Sequence, residues 1–325
     1  MSRVVRAAVV QACTEFHSLD GTLDKLTRFA KEARENGAQL IVFPEAFIGG
    51  YPKLSTFGTA LGVRSDEGRE EFLKYHQNAI EVPSATTQEI ARISKELDLF
   101  FVIGVIEKDG GTLYCTVIFI TPSDGYLCKH RKLMPTAFER VVWGNGDAST
   151  MPVVKHTFYK QPRQENDPGL DADTNAVSSK LSATICWENY MPLLRTFYYA
   201  NGTEIYCAPT VDARPSWQHT MRHIALEGRC FVLSACQYSE EKDYPLGHAG
   251  VDPSDRNPHN VMIGGGSIIV NPLGEVLAGP LLGKEGVLYA DLDLDDVVRG
   301  KFDLDVVGHY ARKDIFQLSV AGKAI

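Results

Sequence analysis

Three residues of the chain have the chemistry of a covalent hydrolytic site. Cys186 offers a nucleophilic thiol, Glu45 a carboxylate that can take the thiol proton, and Lys132 a cation that can stabilise negative charge on a substrate heteroatom. Each follows a segment predicted to be a strand, and ligands of α/β folds bind beyond the carboxyl ends of strands. Taken singly, they could be a core cysteine, a surface acid and a solvated lysine. Together they predict a thiol-dependent enzyme.

The sequence around Cys186 predicts a strand followed by a sharp turn into a helix. Residues 181–185 are typical of a strand, Pro192 suits the first turn of a helix, and Gly202 suits its end. At such a junction, backbone N–H groups that have no intrahelical acceptor lie beside the cysteine. Because their positive potential favours a thiolate, we expect a reactive thiol rather than a core residue.

The elements that carry these residues alternate between strand and helix. Apolar or alternating runs predict strands at residues 3–12, 39–43, 100–106, 113–121, 126–130, 181–185, 204–208, 231–235, 267–270 and 287–292. Helical spacing predicts helices at residues 19–33, 90–97, 193–198 and 217–224, with a capping box at residues 86–89 before the second. This order indicates an α/β fold with mixed sheets. No segment divides the chain, so we expect one domain over residues 1–325.

Residues 155–179 differ in character from the segments on either side. The centre of this segment is charged and polar, and it contains Pro162, Pro168 and Gly169. Such a composition cannot bury enough apolar surface to offset its ordering entropy, so we predict an exposed insertion. It is either a surface loop without a role or an edge of the active-site mouth or of a subunit contact.

The composition is that of a soluble globular protein of 325 residues, with 44% hydrophobic and 23% charged residues. The net charge of −8 argues against nucleic acid or an anionic membrane as the main partner. We find neither a transmembrane run nor a signal-peptide pattern. The seven cysteines form no CxxC motif, which suits reduced thiols, and we therefore expect a cytoplasmic protein.

Two segments imitate metal sites without completing one. His219 and His223 are one helical turn apart but lack the glutamate and third ligand of a zinc site. Asp291, Asp293 and Asp295 have calcium-loop spacing, but the glycine and the final glutamate of such a loop are missing. We expect no metal and no cofactor.

Three segments resemble the signature segments of the nitrilase branch of the carbon–nitrogen hydrolase superfamily. They are residues 43–47, which contain Glu45, residues 130–136, which contain Lys132, and residues 186–192, which begin with Cys186. Two further segments, residues 139–147 and 223–232, resemble the same branch. The likeness extends from about Val4 to Arg312.

The resemblance implies a four-layer α-β-β-α sandwich whose core spans residues 4–312. It also implies that Cys186 is the nucleophile, Glu45 the general base and Lys132 the group that stabilises the tetrahedral intermediate. Glu139 matches a second glutamate that orients the substrate and assists proton transfer. The backbone N–H of Trp187 is expected to share the developing negative charge with Lys132.

The activity implied by the resemblance is hydrolysis of a small-molecule nitrile to a carboxylic acid and ammonia. Amide hydrolysis is one alternative, although amidase branches tend to carry tyrosine and aspartate where this chain has Trp187 and Glu188. Hydration or hydrolysis of cyanide is another, although those relatives usually lack the Asn-Tyr-Met sequence found at residues 189–191. A non-catalytic scaffold or binding protein is a further alternative, and the intact set of reactive residues argues against it.

Four aromatic residues are predicted to wall the substrate pocket: Tyr51, Trp143, Trp187 and Tyr190. Simple packing is the other reading of such residues. The resemblance also implies a homodimer or a larger homo-oligomer, including spirals, with pairing through the helices that follow Cys186 and Trp217. The large amphipathic side chains on those helices, Tyr198, Tyr199 and Trp217, are of the kind enriched in interfaces.

Overall fold

The computed structural model describes residues 3–159 and 176–322, and within them the chain forms two β-sheets and helices that cover their outer faces. The strands are β1 (Val4–Gln11), β2 (Leu40–Val42), β3 (Phe100–Asp109), β4 (Thr112–Thr121), β5 (Gly125–Arg131), β6 (Val154–Tyr159), β7 (Ala176–Ala183), β8 (Ile205–Cys207), β9 (Phe231–Ser234), β10 (Tyr238–Glu240), β11 (Val261–Val270), β12 (Val276–Leu282) and β13 (Gly286–Asp293). The helices are α1 (Leu19–Glu35), α2 (Asp66–Asn78), α3 (Ala85–Leu97), α4 (Glu139–Val142), α5 (Pro192–Ala200), α6 (Pro215–Gly228) and α7 (Asp295–Lys301).

Both sheets are mixed, as the sequence predicts. The first has the order β13-β1-β2-β3-β4-β5, in which β1, β2 and β3 are parallel and the other pairs antiparallel. The second has the order β10-β11-β9-β8-β7-β6, with β12 paired to β11. Within it, β7, β8 and β9 are parallel. The carboxyl ends of β2 and β7 lead to Glu45 and Cys186, respectively.

Alternate residues of the central strands face two different apolar cores, which accounts for the layers. Val9 of β1 and Ile205 of β8 belong to the core between the sheets, whereas the next residue on each strand faces outward. Val10 packs with α1 and α3, and Tyr206 packs with α5 and α6. Strands buried on both faces read as continuous apolar runs, and each large buried side chain contributes roughly 1.5–3 kcal/mol. The four-layer α-β-β-α sandwich is confirmed.

Three of the elements that were not predicted illustrate weak sequence signals. They are α2, which buries only Gly68 and Tyr75, the largely exposed strand β12, and the short helix α7. The predicted capping box at residues 86–89 is wrong, because α3 begins two residues earlier. Its N-cap is Ser84, whose backbone N–H donates to the Thr87 hydroxyl at 2.8 Å.

The ends of the predicted insertion are strands rather than loop. Residues 155–159 belong to β6 and residues 176–179 to β7, and the two strands pair antiparallel from Val154↔Leu181 to Tyr159↔Ala176. The loop prediction is therefore wrong for both ends, where Phe158 and Val177 are buried in the core between the two sheets. The centre of the segment, residues 160–175, lies outside the described residues.

No helix among the described residues has the length and apolar character needed to cross a membrane.

Candidate active site

Glu45 lies just beyond β2, and its backbone is held in place by both halves of the sandwich. A Cβ atom at Gly104 of β3 would lie 2.1 Å from the Pro44 carbonyl oxygen and 2.7 Å from Glu45 Cα, so only glycine lets this turn pass over β3. From the loop between β9 and β10, the Gln237 side-chain amide donates to the Glu45 carbonyl at 2.6 Å. The Glu45 side chain is fully buried.

Lys132 immediately follows β5 and lies at the centre of a buried cluster formed by Glu45, Lys132 and Glu139. Its backbone N–H donates to the Cys115 carbonyl at 2.8 Å, and its side chain is fully buried. The ammonium donates to Glu45 Oε1 and to Glu139 Oε2, both at 2.7 Å. Burial lowers the pKa of Lys132, but the negative charge of Glu45 and other neighbours outweighs burial and raises that pKa well above its ordinary value. Lys132 is therefore a fixed cation.

Glu139, the first residue of α4, joins the cluster to the surface. Besides Lys132, its Oε2 accepts the Thr136 backbone N–H at 2.6 Å, and its Oε1 accepts the Tyr51 hydroxyl at 2.9 Å. These charge-assisted contacts fix the carboxylate. The structure therefore brings together Glu45, Lys132 and Glu139, as the sequence predicts.

The cluster has one free acceptor. Burial, opposed by the charge of Lys132, raises the pKa of the Glu45 carboxyl. Glu45 Oε1 accepts from Lys132 and also from the Cys115 thiol, whose sulfur is 3.5 Å away. Glu45 Oε2 is buried and has no hydrogen-bond partner among the described residues. This oxygen is available to accept a proton.

Cys186 lies at the turn between β7 and the helices that follow it. A 3₁₀ helix, Cys186–Tyr190, precedes α5, and Cys186 itself has a φ of 52°. Positive φ is uncommon for a residue with a side chain. The surroundings hold it in place, because the Cys186 N–H donates to the Pro209 carbonyl and the Asn189 amide donates to the Cys186 carbonyl, each at 2.8 Å. The Thr210 hydroxyl donates to the sulfur at 3.2 Å.

The expected resting thiolate is not supported by these surroundings. Burial, reinforced by the negative charge of Glu45, raises the pKa of the Cys186 thiol despite the opposing effect of Lys132. A cysteine that is 3% exposed gains little from the N–H groups of one short helix, because the loss of water disfavours the charged form. The thiol therefore needs a base to remove its proton.

A cavity of about 270 Å³ opens beside Glu139. Its walls are mostly apolar and aromatic, and they include Tyr51, Leu54, Phe57, Phe138, Val142 and Trp143. Of the four predicted pocket residues, Tyr51 and Trp143 line this cavity and contact each other edge to face. Its size suits a small organic molecule.

Trp187 and Tyr190 are not among the residues that line this cavity. Each is 42% exposed, and their rings contact each other edge to face. The Trp187 indole N–H donates to Asp212 at 2.9 Å, and the Arg214 guanidinium lies over the Trp187 ring.

Two residues that contact these side chains, Cys115 at Glu45 and Thr210 at Cys186, were not singled out from the sequence. Cys115 lies within the apolar run of β4, where nothing distinguishes it from core filling. Thr210 follows β8, the parallel neighbour of β7, so the rule that sites form at the carboxyl ends of parallel strands could have indicated it. In the described ranges, no group of three or more His, Cys, Asp or Glu side chains is arranged to hold a metal ion.

Known proteins with similar sequences cover almost the whole chain. A family model described as carbon–nitrogen hydrolase matches residues 6–302. An arylacetonitrilase of Trametes versicolor is 62% identical over 98% of each chain. A bifunctional nitrilase/nitrile hydratase of Nicotiana tabacum is 51% identical over 99% of this chain and 87% of its own. An aliphatic nitrilase of Sinorhizobium fredii is 50% identical over 97% of this chain and 95% of its own.

A solved structure is similar in fold. An amidase from Nesterenkonia sp. has a TM-score of 0.63 to this chain, covering 91% of this chain and 93% of its own at 19% sequence identity.

Proposed function

The chain belongs to the carbon–nitrogen hydrolase family, and we propose that it hydrolyses an organic nitrile to the carboxylic acid and ammonia through a covalent intermediate on Cys186. The observation that carries the proposal is the buried Glu45–Lys132–Glu139 cluster, whose charges act on the Cys186 thiol. The nitrilase names of relatives with 50–62% identity support a nitrile as the substrate.

In the first step, the free oxygen of Glu45 takes the proton of the Cys186 thiol while the sulfur bonds to the nitrile carbon. One π electron pair of the carbon–nitrogen triple bond moves to the nitrogen, which receives the proton from Glu45. The product is a thioimidate in which the former nitrile carbon is bonded to the Cys186 sulfur. The raised pKa of the thiol makes this base necessary, and the raised pKa of Glu45 suits a group that takes and returns protons.

Two waters complete the reaction. The first adds to the carbon of the thioimidate, and loss of ammonia from the tetrahedral intermediate leaves a thioester on Cys186. The second attacks the thioester carbon, the carbon–sulfur bond breaks, and the acid leaves as the thiol regains a proton. Lys132 stabilises the negative charge of the tetrahedral intermediates. The Trp187 N–H assists, because it lies in a first helical turn where backbone donors have no intrahelical acceptor.

Glu139 and Tyr51 orient the substrate in this scheme. Both border the cavity, and the hydrogen bond between them holds the carboxylate toward Lys132. The apolar aromatic walls favour an aryl substituent on the nitrile, and the arylacetonitrilase relative points to the same substrate class. Trp187 and Tyr190 remain predicted binding residues.

The decisive experiment measures ammonia release from arylacetonitriles, aliphatic nitriles, the corresponding amides and cyanide. We expect release from nitriles by the wild-type protein and none by Cys186→Ala, which should still fold. Cys207→Ala is the matched control, since it truncates another buried cysteine of the same core. Turnover by Cys186→Ala near the wild-type rate would refute the mechanism. Activity of the wild-type protein on amides alone would refute the proposal that its substrate is a nitrile.

Amide release is the second candidate outcome, and the bifunctional relative is the observation that favours it. If the first tetrahedral intermediate expels the thiol instead of ammonia, the product is an amide. Chromatography of the products from one nitrile gives the ratio of acid to amide directly.

We also propose that the protein is a cytoplasmic homodimer or a larger homo-oligomer and that residues 4–312 form one hydrolase domain. Seven free cysteines suit a reducing compartment. The interface residues predicted from the sequence are wrong, because Tyr198, Tyr199 and Trp217 are buried in the core of the chain itself. The large side chains exposed on and just before α5 instead include Trp187, Tyr190 and Leu193. Light scattering that gives a 35.9 kDa monomer under active conditions would contradict the assembly.

A further inference from the structure

Glu188 is a fully buried carboxylate that the reaction steps above do not use. Its Oε2 accepts the Ile185 backbone N–H at 2.8 Å, and its Oε1 accepts the Leu133 backbone N–H at 2.6 Å. Ile185 immediately precedes Cys186, and Leu133 immediately follows Lys132. One side chain therefore holds the backbone beside the nucleophile and the backbone beside the ammonium.

His130 compensates the negative charge of Glu188, and the His130 ring is also fully buried. Its Nε2 lies 2.9 Å from Glu188 Oε2, and its Nδ1 lies 2.7 Å from the Thr150 carbonyl oxygen. Both partners only accept hydrogen bonds, so both ring nitrogens carry a proton and the ring is an imidazolium. Burial disfavours both charges, but the pair outweighs it: Glu188 raises the pKa of His130, and His130 lowers the pKa of Glu188.

The two backbone segments held by Glu188 come from different sheets. Leu133 lies just beyond β5 of the first sheet, and Ile185 lies just beyond β7 of the second. Other polar contacts also join the two sheets, such as Gln237 with the Glu45 carbonyl and Gln11 with Gly266, but they do not involve the backbone next to Lys132 or Cys186. Glu188 links those two backbone positions directly. Hydrogen bonds to a charged group are stronger than neutral ones and are more directional than apolar packing.

We propose that Glu188, held by the His130 imidazolium, is a positioning residue that sets the distance between the Lys132 ammonium and the Cys186 sulfur. It makes no contact with the reacting atoms. The proposal rests on the proposed function for its turnover assay, but the reactivity of the Cys186 thiol tests it independently of any nitrile.

The test compares Glu188→Gln with Glu107→Gln. Glu107 is the matched control, because it is also a buried carboxylate that pairs with β5. Its side chain is 2% exposed and forms 2.5 Å ion pairs with Lys129 and Arg131. Both variants lose an ion pair to a residue of β5, but only Glu188→Gln weakens the contacts that join the Leu133 and Ile185 backbones. The measurements are kcat and KM for a nitrile, the melting temperature, and the rate of Cys186 alkylation by iodoacetamide as a function of pH.

We expect Glu188→Gln to lower kcat by about 10²-fold, the loss that a displacement of about 1 Å can cause, with KM much less affected. The pH midpoint of Cys186 alkylation should move upward, because the ammonium is no longer held near the sulfur. Glu107→Gln should lower the melting temperature but leave kcat and the alkylation midpoint close to wild type. Equal losses of kcat in both variants, or an unchanged alkylation midpoint in Glu188→Gln, would overturn the proposal.

Glu188→Asp covers the case in which Glu188→Gln does not fold. Aspartate keeps the charge and the pair with His130, but it is one methylene too short to reach both backbone N–H groups. We expect a folded protein with lowered kcat and a raised alkylation midpoint. Full activity of Glu188→Asp, or its failure to fold, would overturn the positioning role. Absence of nitrile turnover by the wild-type protein would instead refute the proposed function and leave the alkylation result to decide this proposal.

Discussion

At the residue scale, the Lys132 ammonium holds two buried carboxylates while facing a thiol with a raised pKa. We expect Lys132→Ala to lower kcat by roughly 10²–10³-fold, the usual effect of losing one donor to a developing negative charge. Glu45→Gln removes the general base and should lower kcat by roughly 10²–10⁴-fold. KM should change much less, because the roles of both residues lie in the transition state. Steady-state kinetics on one nitrile measures both constants.

Lys129→Ala is the control for these substitutions, since Lys129 is a lysine of β5 that pairs with Glu107 outside the cluster. Its kcat should stay near wild type. If Lys132→Ala raised only KM, Lys132 would be a binding residue and the charge-stabilising role would be lost.

The Cys115 thiol should lower the pKa of the general base, Glu45. Its thiol donates to Glu45 and so stabilises the ionised carboxylate, opposing the effect of burial, which raises the pKa of Glu45. Glu45 acts only when ionised, so activity is lost as the pH falls through its pKa. Cys115→Ala should therefore move the acidic limb of the kcat/KM profile to higher pH. Cys115→Ser, which keeps a donor, should leave that limb near wild type, as should Cys207→Ala.

At the element scale, the turn after β2 depends on the absence of a side chain at Gly104. Gly104→Ala should destabilise the protein by about 1–3 kcal/mol, the cost of overpacking a core, and should lower kcat because the turn carries Glu45. Gly111→Ala is the control, since an added Cβ there meets no atom within 4 Å. Chemical denaturation measures the difference, and equal stability of the two variants would show that the turn adapts.

The sequence predicted the elements whose apolar pattern is strong and the residues that sit at their ends. Glu45, Lys132 and Cys186 each follow a strand that was predicted, and the strand ends meet as expected. Cys115 was missed because a thiol within an apolar strand looks like core until the facing sheet is known. The raised pKa of the Cys186 thiol was missed because burial is a property of the packed layers, not of the turn that carries the residue.

At the scale of the whole molecule, residues 160–175 connect β6 to the strand that leads to Cys186. We expect that replacing them with a short Gly/Ser linker leaves folding and Cys186 alkylation intact, because the paired strands remain and loop length has little effect on stability. Circular dichroism and alkylation kinetics check this.

The same linker variant decides between the two roles predicted for this segment. Altered preference among nitriles, or a different oligomer size, would assign it to the active-site mouth or a subunit contact. Unchanged values would make it a surface loop without a role. An insoluble product would show that the segment is structural.

The balance of charge around Lys132 also affects how fast the acid product leaves the active site. Two carboxylates share one ammonium, so the cluster carries an excess negative charge whenever Glu45 is ionised. The nitrile arrives neutral, whereas the acid departs as an anion and is repelled in a site of low dielectric constant. We expect the acid to be a much weaker competitive inhibitor than the neutral amide of the same size. The difference between their inhibition constants should become smaller as the pH is lowered and the acid becomes neutral. Inhibition constants measured across pH would reveal this repulsion, which lets a buried site empty quickly after each turnover.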